Sequence, residues 1–399
     1  MQNKQIFSRL KVLEFASVLA GPSVGQFFAE LGAEVIKIEN PATAGDVTRS
    51  WTIPGEIAAD GVSAYFSSVN WGKLSLGLDL SQAEGLEIAH QLISLSDVVI
   101  ASFKPGDAEK LGLDYASISK KNPKIIYGHI TGYGTENSRV GYDAIVQAEA
   151  GFVFLNASPG ETGIKMPVAL MDIIAGHHLK EALLLAIINQ ERCGAGAYVH
   201  VSLIQAAISS LANQATNFLV AGKLPQPEGS LHPNIAPYGN IFTTLDEKQI
   251  IVAVGNDRQF QQLCVVLDMP METLSFSTAG NSDRVKHKEG LHQVLQQKIA
   301  QREQAPLLTA LQSHDVPAGA VHTIQEVCAM PEAAALLFAD LQNRPRGMRN
   351  FVADMSFSGN FSHLLPPPAM GAHTLSIVQE KLHLSKERVT WLQEQKILL

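Results

Sequence analysis

The sequence predicts an α/β fold in which an open, mostly parallel sheet is covered by helices on both faces. First, short apolar segments of strand character alternate with amphipathic helical segments through the first half of the chain. Second, short loops join them, so each strand–helix–strand unit forms a right-handed crossover between parallel strands. Third, 46% of the 399 residues are hydrophobic and 17% are charged, which is enough for a large core and two or three domains.

The elements of the first half follow from their apolar patterns and turn residues. A strand over 11–15 leads through Gly21-Pro22 into a helix over 23–31, and Gly32 is placed to end that helix at its C′ position. Further strands are predicted at 34–39, 74–78, 97–101 and 125–130, and helices at 82–95 and over most of 105–121.

The chain changes character after about residue 222. Four prolines and two glycines in 222–237 are typical of a linker or lid. Beyond it, β-branched residues in 241–254 predict a hairpin, and helical patterns follow at 259–267 and 289–300. These elements predict a second, smaller α+β unit that ends near 316–321.

Composition excludes several classes of function. Lys and Arg number 30 against 38 Asp and Glu, a net charge of −8, and no basic run offers a nucleic-acid surface. The longest apolar run, 182–188, is far shorter than the ~20 residues of a membrane span. The N-terminus lacks a signal-peptide pattern, and three cysteines in no metal-like spacing predict reduced thiols. We therefore expect a soluble, cytoplasmic protein.

The segment 166–193 contains the most informative polar residue. A strand-like apolar run ends at Asp172, and an apolar helix begins directly after it. Asp172 is interpreted either as a cap of that helix or as a carboxylate at the end of a parallel strand, where it could attack an acyl carbon. Both interpretations remain open from the residues alone.

Other polar groups favour structural roles. His177 and His178 lack ligand partners at metal spacing and are expected to be packed or solvated, so no metal site is predicted. Asp143 is expected to be a first-turn acid of a helix. Gly255-Asn256-Asp257 is a turn with a helix cap or, alternatively, a loop over a ligand. The sequence matches the dinucleotide-binding fingerprint only weakly, because that fingerprint needs three glycines and the first turn contains only Gly21.

Taken in order, these segments are similar to the family III CoA-transferases, the group also named for carnitine-CoA and bile-acid-inducible transferases. The resemblance covers nearly the whole chain and is carried by VLEFASVLAGPSVGQFFAELGAEVIKIENP, GDVTRSW, YFSSVNWGKLSLGLDL, DVVIASFKPG, GYDAIVQAEAG, VALMDIIAGHHL, HPNIAPYGNIF and VAVGNDRQF.

The resemblance implies an architecture. A large domain with a Rossmann-like sheet, 1–200 with 340–399, would be joined to a small domain, 226–320, by linkers at 201–225 and 321–339. Two chains would interlock as a homodimer. We expect no permanently bound cofactor, because coenzyme A and its acyl esters are the substrates.

The resemblance also implies the chemistry of Asp172, which matches the family's catalytic aspartate. CoA would move from an acyl-CoA donor to a small carboxylic acid through an aspartyl mixed anhydride and an aspartyl-CoA thioester. Because these intermediates hydrolyse, a loop at 229–237 or 255–257 is expected to close over the site.

Further residues match the family's binding positions. The implied CoA contacts are Ser17, Leu19, Ala20, Asn40, Leu78, Asp79, Leu80, Ser81, Ser102, Phe103, Lys104, Lys110 and Arg139. Implied substrate contacts are Trp51, Tyr65 and Tyr142, an aromatic trio that favours a small dicarboxylic acceptor. Gly255 and Asn256 are added as substrate contacts because their loop is one of the two expected to close over the site. The sequence departs from the formyl-CoA:oxalate members at Ser17, Leu19 and Asn40, which argues against formyl-CoA as donor.

Two alternatives share this fold. A 2-methylacyl-CoA racemase would carry a histidine where Tyr142 stands, and a phenol is a poor base at neutral pH, so Tyr142 favours transfer. A CoA-binding protein without activity is the other, and the carboxyl group of Asp172 argues against it.

Overall fold

A computed structural model describes residues 5–270, 280–340, 342–356 and 364–399. The chain divides into a first unit, formed by residues up to 150 together with 167–211 and 335–399, and a second unit, formed by 151–166 and 212–334. The predicted large domain had included 151–166, which the structure assigns to the second unit. The two stretches predicted as linkers are largely helical.

Six parallel strands form the main sheet of the first unit. They are β1 Lys11–Phe15, β2 Glu34–Glu39, β3 Lys73–Gly77, β4 Val98–Ala101, β5 Ile126–Thr131 and β6 Ala197–Ser202, in the order β3-β2-β1-β4-β5-β6. The predicted parallel sheet is therefore confirmed. The first five strands lie within one residue of their predicted bounds, and β6 is not among the predicted strands.

The helices of the described residues are, in chain order, α1 Ala20–Glu30, α2 Ala64–Ser67, α3 Ala83–Ser94, α4 Asp107–Leu111, α5 Tyr115–Ile118, α6 Asp143–Glu149, α7 Phe152–Leu155, α8 Leu170–Cys193, α9 Leu203–Ser209, α10 Ala212–Ala221, α11 Asp257–Val266, α12 Asn281–Lys286, α13 Lys288–Ile299, α14 Gln304–Ser313, α15 Ile324–Ala329, α16 Pro331–Ala334, α17 Thr374–Ser376 and α18 Lys386–Glu394. Gly32 follows α1 with φ +97°, as its predicted C′ position requires. The helix itself begins three residues earlier than predicted.

Helices cover both faces of the main sheet. On one face α3, α5 and α18 pack against the strands through a buried apolar cluster that includes Leu13, Leu76, Leu92, Val99 and Leu392. Each such side chain contributes about 1.5–3 kcal/mol through burial. On the other face α1 and α8 pack together and α8 contacts β5 and β6. The segment 105–121 is less helical than predicted, because Gly112 with φ +62° separates α4 from α5.

The second unit is built around a three-stranded antiparallel sheet. Its strands are β7 Tyr238–Thr243, β8 Gln249–Ala253 and β9 Ala318–Ala320. Phe242, Ile250, Phe260 and Leu295 belong to its buried core, to which β7, β8, α11 and α13 contribute. A further hairpin, β10 Leu337–Ala339 with β11 Pro345–Met348, belongs to the first unit.

Candidate active site

A cavity of about 220 Å³ opens at the carboxyl ends of β1, β4 and β5. In the sheet order, β1 and β4 are the neighbours at which the winding direction reverses, and ligands of open α/β sheets bind at this point. The lining residues lie on the loops after these strands and on α1, α6, α8 and α9. They are Ser17, Val18, Ala20, Gly21, Ser102, Phe103, Lys104, Pro105, Ile130, Thr131, Gly132, Asn137, Arg139, Val140, Gly141, Tyr142, Asp143, Asp172 and Leu203.

The loop between β1 and α1 forms one wall of this cavity in an unfavourable conformation. Val18 has φ 71°, which is rare for a β-branched residue. Asp46 Oδ1 accepts the N–H of Val18 at 3.3 Å. A Cβ on Gly21 would lie 2.4 Å from the Cβ of Ala16, so only glycine fits where the loop turns into the helix. Asp46 therefore stabilises a loop whose own sequence does not favour this shape.

Buried charged side chains hold Asp46 in place behind the loop. Lys37 Nζ lies 2.9 Å from Asp46 Oδ2 and 3.0 Å from Glu14 Oε1, and it donates to the carbonyl of Ala16 at 2.6 Å. Lys73 Nζ contacts Glu14 Oε2 at 2.8 Å. Burial lowers the pKa of Lys37, but the carboxylates of Glu14 and Asp46 outweigh it, so its pKa is raised and it stays charged.

Two close backbone approaches bring the other walls together. Gly132 after β5 and Gly141 before α6 lie so near each other that a Cβ on Gly132 would be 2.5 Å from the Cα of Gly141. Gly176 allows α8 to pack closely on α1, because a Cβ there would lie 2.5 Å from Ser23 Oγ. The first turns of α1 and α8 consequently lie at the cavity.

Asp172 lies in the first turn of α8, as its third residue. The predicted strand before it is wrong, because 166–169 has no strand structure and the helix begins at Leu170. The interpretation of Asp172 as N-cap is wrong as well, since Ala169 occupies that position. The Asp172 residue is only 6% exposed. Burial, and then the negative charge of Asp143, raise the pKa of its carboxyl group to about 7.

Asp143 supplies the capping interaction that had been considered for Asp172. Its Oδ1 accepts the N–H of Met171 at 2.7 Å and that of Asp172 at 3.4 Å. Its Oδ2 accepts from Gln147 Nε2 at 2.5 Å. Asp143 is the first residue of α6, as predicted, and in addition it satisfies amides of a different helix.

The three predicted aromatic contacts all lie in the first unit. Tyr142 lines the cavity and is the N-cap residue of α6. Tyr65 and Trp51 pack edge to face with ring centroids 5.1 Å apart. Burial raises the pKa of the Tyr65 hydroxyl to about 12, and the nearby charges of Asp172 and then Asp143 add to the effect. Tyr65 therefore lies near Asp172 and keeps its proton.

The predicted CoA contacts fall into two groups. One group lines the cavity together with Asp172: Ser17, Ala20, Ser102, Phe103, Lys104 and Arg139. The other group lies outside the cavity lining: Leu19 at the N-cap of α1, Asn40 capping the turn after β2, Leu78 in the apolar core, Asp79, Leu80 and Ser81 after β3, and the exposed Lys110, paired with Asp107. The side chain of Leu78 is fully buried, so this residue has only its backbone to offer a ligand.

Gly255 and Asn256 belong to the second unit. Asn256 Oδ1 accepts the N–H of Gln259 at 2.9 Å and caps α11, as the structural interpretation predicted. Gly255 donates its N–H to Gln259 Oε1 at 2.8 Å. Their predicted role at the substrate stays a prediction.

The described ranges contain neither a metal-ion cluster nor a membrane-spanning helix. Among these residues, no three His, Cys, Asp or Glu side chains are grouped so that they could hold a metal ion. No helix in the same ranges has the length and apolar character of a membrane span.

The fold and the cavity together define an α/β protein with a buried carboxyl group of raised pKa at the switch point of a parallel sheet. Residues 7–374 match the family model of CoA-transferase family III, and the chain belongs to this family and is a CoA-transferase. A succinate–glutarate CoA-transferase of Agrobacterium fabrum is 38% identical over 87% of this chain and 85% of its own length. A succinyl-CoA:glutarate CoA-transferase of Homo sapiens is 30% identical over 96% of this chain and 87% of its own length.

A solved structure agrees with the family assignment. The crystal structure of a CAIB/BAIF family protein from Brucella suis superimposes with a TM-score of 0.82 at 36% sequence identity. The alignment covers 95% of this chain and 100% of the Brucella chain. The mixed α/β fold is therefore shared along nearly the whole chain.

Sequence reasoning missed two residues that shape the site. Val18 gives no signal in the sequence, because a positive φ at valine follows from tertiary contacts alone. Asp46 follows a glycine and precedes Val47-Thr48, a pattern typical of the start of a helical turn, and the structure shows it capping one. Its second partner, the N–H of Val18, lies 28 positions earlier and cannot be inferred from spacing.

Proposed function

We propose that this enzyme transfers coenzyme A from an acyl-CoA donor to a small dicarboxylic acid through covalent adducts on Asp172. The proposal rests on the environment of the Asp172 carboxyl group. It is buried beside the cavity, and no donor in the described part of the chain hydrogen-bonds to its oxygens. A carboxylate without hydrogen bonds or a cationic partner is more basic and a better nucleophile.

The donor half of the reaction would proceed in two steps. An Asp172 oxygen attacks the thioester carbonyl, the carbon–sulfur bond breaks, and an aspartyl mixed anhydride and CoA thiolate form. The thiolate then attacks the aspartyl carbonyl and releases the donor acid, which leaves an aspartyl-CoA thioester. The acceptor half reverses these steps with the second acid and regenerates the free carboxylate.

Each step develops an oxyanion next to Asp172. Ala20 and Gly21 begin α1 at the cavity, and the first N–H groups of a helix have no acceptor within the helix. We propose these amides as oxyanion donors, each contributing about 3 kcal/mol to the transition state. The fixed β1–α1 loop keeps them in position without reorganisation.

The acceptor acid is proposed to lie between Asp172 and the Tyr65–Trp51 pair. The Tyr65 hydroxyl keeps its proton at neutral pH and can donate to a carboxylate. The names of the two relatives, which specify succinate or succinyl-CoA with glutarate, support a pair of four- and five-carbon diacids. An acceptor screen with succinyl-, acetyl- and formyl-CoA, read by mass spectrometry of the products, tests this choice. Transfer to monocarboxylic acids alone would contradict it.

The role of Asp172 is tested by substitution. Asp172→Ala should abolish transfer and leave the protein folded, whereas Asp114→Asn, at the cap of α5, is the matched control and should keep full activity. Hydroxylamine added with acyl-CoA should convert Asp172 to a hydroxamate in the wild type. Near-normal turnover of the alanine variant would refute the nucleophile.

We further propose that the chain forms an interlocked homodimer. Leu185 and Ile188, three residues apart on one face of α8, are exposed to 68% and 44% in the single chain, and adjacent exposed apolar side chains are typical of an interface between chains. Light scattering after size exclusion should give the mass of two chains, and a monomer at micromolar concentration would contradict the proposal.

A further inference from the structure

Asp143 makes interactions on both carboxylate oxygens that connect it to the first turn of α8. Oδ1 accepts the amides of Met171 and Asp172, and Oδ2 accepts from Gln147. The Gln147 side chain also donates to the carbonyl of Val168 at 3.4 Å. Asp143 and Gln147 thus hold the chain on both sides of the point where α8 begins.

This arrangement changes the electrostatic effect of the N-terminus of α8 on the Asp172 carboxylate. An aspartate in a first turn is normally stabilised as an anion by the free amides and the positive end of the helix dipole. Here two of those amides already have a carboxylate acceptor, and that acceptor carries the same charge as Asp172. The usual stabilisation of a first-turn carboxylate is therefore replaced by repulsion.

We propose that Asp143 is a positioning residue that both fixes the first turn of α8 and keeps the Asp172 carboxylate reactive by withholding the helix amides from it. Because this role presupposes that Asp172 is the nucleophile, it rests on the proposed function. It assigns to Asp143 a contribution to the rate beyond its capping of α8.

The other charged and titratable groups around Asp172 come from several elements. The Tyr65 hydroxyl faces it from α2, and Lys104 and Arg139 lie on the cavity wall, with Arg139 paired to Glu149. Along α8, His177 and Lys180 follow, and Lys180 lies over the Phe27 ring of α1. Helix α9 carries no charged residue. Burial and Asp143 are the causes of the raised pKa of Asp172.

Two substitutions separate the two parts of the role. Asp143→Asn keeps an oxygen that can accept the Met171 and Asp172 amides, removes the charge, and gives up the hydrogen bond from Gln147 Nε2. Asp143→Ala removes both. Asp114→Asn is the control, because Asp114 also caps a helix of the first unit through one oxygen, which accepts from Ser117 at 3.0 Å.

The test is the pH dependence of kcat/KM for the acyl-CoA donor, together with mass spectrometry of the acid-quenched enzyme to quantify the adduct on Asp172. In the wild type the rate should fall as pH drops through about 7. In Asp143→Asn the midpoint should move down by about one pH unit, with a lower plateau, because removing a like charge stabilises the anion. Asp143→Ala should lose more in kcat, and asparagine should rescue part of that loss.

The outcomes distinguish the two proposals. An adduct on Asp172 whose pH dependence is the same in the wild type and in Asp143→Asn overturns the role of Asp143 and leaves the proposed function intact. A wild type that turns over without any adduct on Asp172 overturns both. If Asp143→Ala fails to fold, Asp143→Asn alone still decides the charge effect.

Discussion

Replacing Asp172 by asparagine should inactivate the enzyme and at the same time stabilise its fold. Burial and Asp143 raise the pKa of this carboxyl from 3.8 to about 7, so the folded state binds the proton more tightly than the unfolded state. The free energy of unfolding must then fall as pH rises from below 4 to about 7. Asparagine has nearly the same shape and does not ionise, so it avoids this loss.

The size of this loss in unfolding free energy follows from the difference between the pKa of Asp172 in the folded and in the unfolded state. About three pKa units at 1.36 kcal/mol per unit give an upper value of about 4 kcal/mol, and we expect about 2–4 kcal/mol at alkaline pH. Near pH 5 much of this difference should be absent. At that pH the folded state still binds the Asp172 proton, whereas the unfolded state has released most of it, so only part of the proton-linked free energy of unfolding has been lost.

Urea unfolding of wild type and Asp172→Asn at about pH 5 and about pH 8.5 measures the difference directly. The gap between the two proteins should widen by about 2–3 kcal/mol towards the higher pH. Asp114→Asn serves as the control and should show no such widening. A gap that is constant with pH would mean that Asp172 is not desolvated in the fold, and the account of its reactivity would be refuted.

Three further substitutions test the surroundings of the site. Tyr65→Phe should raise KM for the acceptor acid about 10- to 100-fold through one lost hydrogen bond to a carboxylate, while KM for the acyl-CoA stays unchanged in steady-state assays. Arg49→Met should lower the free energy of unfolding by about 3–5 kcal/mol, because Glu39, bound at 2.7 Å, would be left buried without its guanidinium partner; an unchanged urea midpoint would contradict this. Gly25→Ala would place a Cβ 1.9 Å from Glu14 Oε2, so soluble yield and melting temperature should both fall, and a wild-type melting curve would show that the buried charges can move aside.

The main sheet could be predicted because its strands are short, apolar and separated by helices of regular period. The strand β6 was missed because Tyr198 and His200 interrupt its apolar pattern; the structure explains them through bonds to His129 and Thr131 of β5. Such cross-strand polar pairs depend on register, which a single strand does not reveal.

At the site, the sequence and its family resemblance point to Asp172 as the candidate nucleophile, and this stays a prediction; they do not describe its environment. A strand was predicted before it because Val168, Leu170 and Met171 are apolar, yet these residues lead into a helix whose first amides are satisfied by Asp143. That partner lies 28 positions away from Met171. Contacts of this range arise from the packing of α6 on α8, and local patterns do not encode them.

The most direct test of the central claim uses an acceptor acid whose carboxylate carries 18O. The acceptor oxygen that bridges the second anhydride should remain on the enzyme when CoA thiolate attacks the acceptor carbonyl. Peptide mass spectrometry should therefore find one heavy oxygen in the side chain of Asp172 after a single turnover, and two after many, because each cycle also releases one Asp172 oxygen with the donor acid. An Asp172 peptide of natural mass, recovered after many turnovers with labelled acid, would contradict transfer through this carboxylate.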